Sequence, residues 1–546
     1  MKKLHLFLIA CLSGLLLSLA WPTYGLPPLL LIAFIPLLWI EDYISKNSNN
    51  FSKFSVFNYS FIAFFIWNGI TTYWICYSTL FGLFAPFINA ILGAIVFQGY
   101  HFSKRILFYG KKGFILLPIF WIAMEYIHHL WELSWPWMTI GNGFSTTPIL
   151  VQWYEYTGIF GGTLWVFIAN YFGFGFIKQV SIDIKKRKLT LINSKVFTFH
   201  FSLFALVVAI PIFISLLIWN NYKDEKNKPI DVVVVQPNLE PYDPSLQLSN
   251  YEIIDLITSL AAKKTDNNTS FILTPEGCLE ERIWEDQIDR NQSLQILSEF
   301  VGKYDKAQWI TGTFTRKLQS EEEKDEASRK IEFAPKPYFS VYNSAVHIKK
   351  GNRYEVYHKS KLVPGVERVP FKKYISKILD FAIELGNLPV GSLGIDNQHG
   401  LFVSESSGVK ITTPICYESI YGGLVAQRVK EGAELIFVIT NDSWWKDSQG
   451  HKQHASYASL RAIETRRYIA RSANTGTSCF INPKGEILQK TKFWTPAVIK
   501  ESLIPQKRLT FYVKYGDYIA KGAIFAAIVI LILTFLNKIL IKLKKK

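Results

Sequence analysis

Seven long apolar runs fill the first 220 residues of this chain, at 4–21, 27–41, 55–77, 83–103, 113–130, 157–177 and 198–219. An eighth lies at 516–537. A helix needs about 20 apolar residues to cross the hydrocarbon core of a bilayer, and there only a helix or a closed barrel satisfies its own backbone. The second run is the shortest, and the third carries Asn58 and Asn68. The pattern predicts an α-helical polytopic membrane domain of about 8 spans. Seven lie in residues 1–220, and residues 516–546 supply the eighth with a basic tail.

The charge follows the same frame. The chain carries 60 Lys and Arg against 43 Asp and Glu, a formal net charge of +17. A surplus of this size suggests a nucleic acid or an anionic membrane surface as partner. Its location decides against nucleic acid. Lys2 and Lys3 precede the first run, and Lys46 and Lys53 follow the second. Lys104, Arg105, Lys111 and Lys112 follow the fourth, and Lys178, Lys185, Lys186, Arg187, Lys188 and Lys195 follow the sixth. Lys538, Lys542, Lys544, Lys545 and Lys546 close the chain. With the acids Glu41, Asp42 and Asp183, these segments hold +16 of the +17. The alternate linkers 22–26, 78–82 and 131–156 contain neither Lys nor Arg. This is the positive-inside distribution, and it predicts cytoplasmic termini with residues 221–515 on the far side of the membrane. What remains of the chain is close to neutral, so its partner need not be a polyanion.

Residues 221–515 have the texture of an α/β domain. β-Branched runs alternate with polar helical stretches: DVVVVQPN (231–238), SFILTPEG (270–277), AQWITGTF (307–314), NSAVHIKK (343–350), RYEVYHK (353–359), VKITTPICYE (409–418) and ELIFVITNDSWW (434–445). A helix is expected over 449–472, then a hairpin over 472–487 with a Pro-Lys-Gly turn. The charged segment 317–335 is expected to be a solvated loop.

Three segments of this domain place a reactive group where an apolar strand gives way to a loop: Thr274-Pro275-Glu276-Gly277, Tyr357-His358-Lys359-Ser360-Lys361-Leu362-Val363-Pro364 and Pro414-Ile415-Cys416-Tyr417-Glu418. Strand ends are where α/β folds concentrate function. Cys416 is the candidate nucleophile. A free thiol has a pKa of about 8.5 and needs a base or a nearby cation at neutral pH. Glu276 suits the base, and Lys359 suits stabilisation of an oxyanion. Glu367 is a second carboxylate able to hold Lys359. Singly, each has a plain structural explanation: a helix-start carboxylate, a surface lysine, a buried small residue.

Their order and context resemble the nitrilase (carbon–nitrogen hydrolase) superfamily, which carries a Glu–Lys–Cys triad in this chain order on an αββα sandwich. PEG with Glu276, YHKSKLVP with Lys359 and ICYES with Cys416 match its motifs. Set between membrane runs, such a domain resembles the bacterial apolipoprotein N-acyltransferases. Trp135-Pro136-Trp137, Gly141, Pro148, Gln152, Gly158, Gly161 and Asn170 resemble an outer loop and sixth span of that family. LVPGVERVP (362–370), Asn441-Asp442-Ser443-Trp444-Trp445 and RAIETRRYIARSANTG (461–476) resemble three further segments. Gly365-Val366 departs from the family's Phe-Gly, although Lys359 and Glu367 keep its eight-residue offset. Tyr242 stands near the place of a family Trp after the first strand.

The resemblance implies a nitrilase-like αββα domain at 221–515 in the inner membrane of a bacterium, facing the periplasm. It implies transfer of an acyl chain from a phospholipid, with phosphatidylethanolamine the expected donor, through a Cys416 thioester to the amine of a diacylglyceryl-cysteine on apolipoproteins; the headgroup preference itself is not legible in the sequence. Catalysis rests on Glu276, Lys359 and Cys416, with Glu367, Tyr417 and Glu418 supporting. Val363 and Val366 open a substrate loop; with Val369, Phe371, Ile375, Ile378, Leu379 and Phe381 they suit either a lid over acyl chains or, equally on spacing alone, the core face of an ordinary surface helix. No cofactor or metal is expected. The alternative is a membrane-tethered amidohydrolase that uses the same triad with water.

Other features read as structural. Leu8-Ile9-Ala10-Cys11 looks like a lipidation signal, but apolar sequence continues to Trp21, so Cys11 reads as a residue of the first span. The five Cys show no CxxC spacing, and at least one thiol is expected to be free. His451 and His454 read as polar helix-start residues. Glu125 is expected to bond a neighbouring span. The Trp and Tyr residues of 131–156 read as interfacial anchors.

Overall fold

The computed structural model describes residues 2–78, 80–109, 113–185, 195–332, 335–371, 392–396 and 400–544. They form two compact units. One comprises residues 1–76, 80–222 and 515–546, and the other residues 77–79 and 223–514.

The first unit is helical: α1 (Lys3–Ala20), α2 (Leu30–Ala33), α3 (Ile35–Lys46), α4 (Ser55–Thr72), α5 (Ala85–Phe108), α6 (Leu116–Ile127), α7 (Tyr154–Lys185), α8 (Lys195–Asn221) and a C-terminal helix Tyr518–Leu543. Among the described residues five stretches are long and apolar enough to cross a membrane: Lys3–Ala20, Pro27–Lys46, Tyr154–Ile182, Phe199–Asn221 and Tyr518–Leu543. The remaining three expected spans meet helices of a different kind. Polar residues interrupt α4 (Asn58, Asn68) and α5 (Gln98, His101, Lys104), and α6 is apolar but short. The second span, Pro27–Lys46, is long enough but broken at Phe34, just before Pro36, and Asn170 of α7 repairs the break. Its Nδ2 donates to Leu30 O at 2.7 Å, and its Oδ1 accepts from Phe34 N at 2.8 Å. Glu125 makes the interhelical bond expected of it, accepting from Thr163 Oγ1 of α7 and from Ile140 N, both at 2.8 Å. Large apolar side chains such as Leu206, Phe213, Phe525, Ile532 and Phe535 stay more than half exposed. Such surfaces are stable in lipid and not in water.

The second unit is a four-layer sandwich. One eight-stranded sheet has the path β14-β1-β2-β4-β6-β5, with β3 beside β4 and β7 beside β6. Its strands are β1 (Ile230–Gln236), β2 (Thr269–Leu273), β3 (Leu279–Trp284), β4 (Gln308–Gln319), β5 (Arg329–Lys330), β6 (Tyr338–Lys349), β7 (Arg353–His358) and β14 (Ala497–Leu503). The other sheet runs β13-β12-β11-β10-β9-β8, from β8 (Leu401–Val403), β9 (Lys410–Thr412), β10 (Leu435–Thr440), β11 (Ile469–Ala473), β12 (Cys479–Ile481) and β13 (Ile487–Lys490). The two-residue period of a strand divides the layers. Val232 and Val234 of β1 enter the core between the sheets with Phe271, Leu273, Ile310, Leu435, Phe437 and Ile439. Val233, Val235 and Ile272 point the other way, onto α9 (Asn250–Ala262) and α10 (Gln292–Gly302). Ile436 and Val438 point onto α11 (Gly422–Lys430) and α12 (Gln449–Thr465). Strands covered on both faces must be apolar at every position, as the Val run of β1 is. Each such side chain contributes about 1.5–3 kcal/mol of burial.

Two expectations are corrected. The helix foreseen over 449–472 ends at Thr465, where Arg466 turns left-handed at φ 52° and the chain re-enters the sheet as β11. The segment 317–335 is not simply a solvated loop. β4 continues to Gln319, and β5 returns to pair with β6 at Arg329↔Phe339. The hairpin at 472–487 forms as β12 and β13 around the Pro-Lys-Gly turn.

Candidate active site

All three strand-end groups meet in the second unit. Glu276 follows β2 and is held by the backbone of β4, where Gly312 N donates to Pro275 O at 3.0 Å. A Cβ on Gly312 would stand 2.5 Å from the Glu276 Cα, so only glycine allows this approach. Lys359 follows β7, and its backbone N donates to Asn343 O of β6 at 2.8 Å. Cys416 follows β9 and opens a short 3-10 turn, Cys416–Ile420. It adopts φ 50°, a left-handed conformation that costs a non-glycine residue about 1–3 kcal/mol and persists only when its surroundings enforce it.

Lys359 is 1% exposed and lies between two carboxylates. Its Nζ donates to Glu276 Oε1 and to Glu367 Oε1, each at 2.9 Å. Asn343 Nδ2 bridges the same two oxygens at 2.7 and 2.8 Å. Asn441 N donates to Glu276 Oε2 at 2.9 Å, and Val363 N to Glu367 Oε2 at 2.8 Å. Burial alone would lower the Lys359 pKa, but Glu276 and Glu367 beside it hold it well above the usual lysine value. Burial and the charge of Glu276 push the Cys416 thiol well above its usual value, against the opposing pull of Lys359. The resting site therefore pairs a neutral thiol with a permanent ammonium, and the thiol needs a base to react.

Glu418 ties the Cys416 turn to the Lys359 loop. Its carboxylate accepts from Ile415 N at 2.8 Å and from Ser360 N at 2.7 Å. It also accepts from Ser360 Oγ, the Tyr357 hydroxyl and Arg428. Tyr417 is buried next to Cys416, edge-on to Tyr421. The loop after Lys359 turns sharply. Glu367 N and Val366 N both donate to Val363 O, and Gly365 takes φ 77°. The departure at Gly365-Val366 thus keeps a tight turn that returns Glu367 to Lys359, and Val366 stays 40% exposed. Val369 N donates to Ser392 Oγ at 3.3 Å. Ile375, Ile378, Leu379 and Phe381 lie outside the described residues.

His451 and His454 lie in the first turns of α12, and each is 1% exposed. His454 reaches Cys416: Nδ1 meets Asp442 Oδ1 at 3.0 Å, and Nε2 lies 3.2 Å from Cys416 O and 3.1 Å from Ser419 Oγ. Asp442 is paired with Arg471 Nη2 at 2.6 Å. This buried network, absent from the sequence reading, engages the carbonyl of the strained cysteine. Tyr242 places its hydroxyl on Ser443 O and its ring by Trp444 and Trp494.

Two family models match the chain: the apolipoprotein N-acyltransferase N-terminal domain over residues 13–172, and carbon-nitrogen hydrolase over residues 249–504. The chain belongs to the apolipoprotein N-acyltransferase family. Similar members span nearly its whole length. An apolipoprotein N-acyltransferase of Chlorobaculum tepidum is 26% identical, over 94% of this chain and 93% of that one. Those of Geobacter metallireducens and Rickettsia typhi are 24% and 27% identical, over 97% and 94% of this chain and 96% and 95% of theirs. Family membership accounts for a helical unit and a nitrilase-like unit in one chain.

Proposed function

We propose that the protein N-acylates lipoproteins, moving an acyl chain from a phospholipid, with phosphatidylethanolamine the expected donor, through Cys416 to the α-amine of a diacylglyceryl-cysteine. The observation that carries this reading is the buried Glu276–Lys359–Cys416 grouping in a chain whose other unit presents lipid-facing helices. In the first half-reaction Glu276 takes the Cys416 proton as sulfur attacks the ester carbonyl. The tetrahedral oxyanion forms beside the Lys359 ammonium. The C–O bond then breaks, and Glu276 returns the proton to the departing lysophospholipid oxygen. In the second half-reaction the amine attacks the thioester, Glu276 accepts the amine proton, and the C–S bond breaks. Glu276 returns that proton to the departing sulfur, which restores the thiol and the carboxylate. Lys359 stays charged throughout, because Glu367 remains a carboxylate on its Nζ while Glu276 carries the transferred proton. Burial favours the amine over water as acceptor.

The charge pattern supports eight spans in the bacterial inner membrane, cytoplasmic termini and a periplasmic catalytic unit. The same triad would also hydrolyse small amides with water, but an amidohydrolase leaves the extensive helical unit without a purpose. Incubation of the purified protein with phosphatidylethanolamine tests the reading. An acyl adduct on the Cys416 peptide is expected by mass spectrometry, discharged by a diacylglyceryl-cysteine peptide. Acyl transfer at the normal rate by Cys416→Ala would refute it.

A further inference from the structure

The sheet face that carries Glu276 and Asn343 continues past the triad into a basic, aromatic strip. Strand register fixes its members. Phe314 of β4 lies opposite Asn343 of β6 and beside Arg282 of β3. One step further along the same face, Arg316 lies opposite Val341 and beside Trp284, and Arg329 of β5 lies opposite Phe339. The Arg316 guanidinium sits over two rings, 5.3 Å from the Trp284 centroid and 5.8 Å from that of Phe339. Its Nε is buried and has no hydrogen-bond partner. Among the described residues neither Arg282 nor Arg316 pairs with a carboxylate. Burial, then the charges of Arg282 and Arg329, lower the Arg316 pKa, so like charges converge on Arg316. An unpaired guanidinium set beside two aromatic rings is organised to receive an anion with fork geometry, and phosphate oxygens match that fork.

We propose that Arg282 and Arg316, with Arg329 adding to the local field, bind the phosphodiester of the lipid acyl donor. The spacing suits that ligand. Val341 is two residues from Asn343, so the Arg316 row lies about 7 Å along the strand from the row that binds Glu276. In a glycerophospholipid five or six bonds separate an ester carbonyl from phosphorus, an extended reach of about 6–7 Å. The apolar rings of Phe314 in the first row and Trp284 in the second flank the path between them, where the glycerol and first methylenes would lie. This assignment rests on the proposed use of a phospholipid donor, and it adds that the phosphate is the group recognised.

The test is the rate of acyl-Cys416 formation in the full-length protein. The donors are phosphatidylethanolamine and a diacylglycerol of the same acyl chains, which lacks phosphate. The normal protein is expected to prefer the phospholipid. Arg316→Met, Arg282→Met and the double variant should raise the KM for phosphatidylethanolamine about tenfold or more. They should leave diacylglycerol turnover unchanged and narrow the preference. Arg316→Lys, which keeps the charge and loses the fork, should fall between. An unaltered preference in the double variant, or equal use of both donors by the normal protein, overturns the subsite while the acyltransferase reading stands. No Cys416 adduct from either donor overturns both. Diacylglycerol turnover also separates the two: a variant that merely misfolds loses it along with phospholipid turnover.

Discussion

Replacing Glu367 by Gln isolates the carboxylate that positions Lys359 without emptying the site. Three donors converge on Glu367: Lys359 Nζ at 2.9 Å and Asn343 Nδ2 at 2.8 Å on Oε1, and Val363 N at 2.8 Å on Oε2. An amide has one oxygen, so in either orientation at least one donor faces an NH2 group. The ion pair at this distance is worth about 6 kcal/mol at an effective dielectric of about 20, before desolvation is counted. The net loss on removing one charge-assisted hydrogen bond is about 1.5–3 kcal/mol. If the Lys359 ammonium stabilises the oxyanion from this position, acylation of Cys416 should slow by about 10- to 150-fold. Glu276 still contacts Lys359, so the lysine stays protonated near neutrality and the pH profile should keep its shape there. Glu367→Asp retains the charge on a shorter arm and should lose less. Time courses of acyl-Cys416 by peptide mass spectrometry measure all three proteins. A Gln variant that acylates at the normal rate would refute the positioning argument, as would an Asp variant worse than Gln.

Three further outcomes follow from the same geometry. Gly312→Ala forces a methyl to within 2.5 Å of the Glu276 Cα, so activity should fall about 100-fold with a stability loss of about 1–3 kcal/mol, read by turnover and thermal melting. Because burial and Glu276 raise the Cys416 pKa, iodoacetamide should label its peptide slowly at pH 7 and faster as the pH climbs past 9; fast, pH-independent labelling at neutrality would contradict this. His358 is buried between Glu285 Oε1 at 2.6 Å and Asp396 Oδ2 at 3.1 Å. Burial alone would lower its pKa, yet these carboxylates raise it above the usual histidine value. Its charge therefore stabilises the fold fully below the unfolded pKa of about 6.5, and that stabilisation is lost as pH rises through the higher folded value. The melting-temperature gap between the normal protein and His358→Gln should accordingly be wider at pH 6 than at pH 9.

Strand ends made much of the site legible. Glu276, Lys359 and Cys416 each terminate an apolar run, a local pattern visible in one dimension. Asn343 is different. It sits inside β6 and looks like an incidental polar residue, and its partners Glu276 and Glu367 are 67 and 24 residues away. His454 was similarly opaque. Its contact with the Cys416 carbonyl requires α12 to pack against the Cys416 turn, and its bond to Asp442 requires the chain to return beside the end of β10. The early end of α12 was missed because residues 466–472 continue a helix-compatible pattern while β11 finds hydrogen-bond partners in β10 and β12.

Hydropathy, charge placement and three strand-end motifs are local properties, and by themselves they determine a membrane-embedded chain with a thiol-based α/β domain. Helix and strand periods and the cost of exposing backbone to lipid act over a few residues, so these features need no knowledge of distant contacts. Tertiary structure alone decides that Glu367 and Asn343 share the Lys359 ammonium with Glu276, that His454 supports the cysteine, and that Arg282 and Arg316 converge. Each of those depends on strand register and layer packing. A shift of one residue would turn every side chain of a strand to the opposite face.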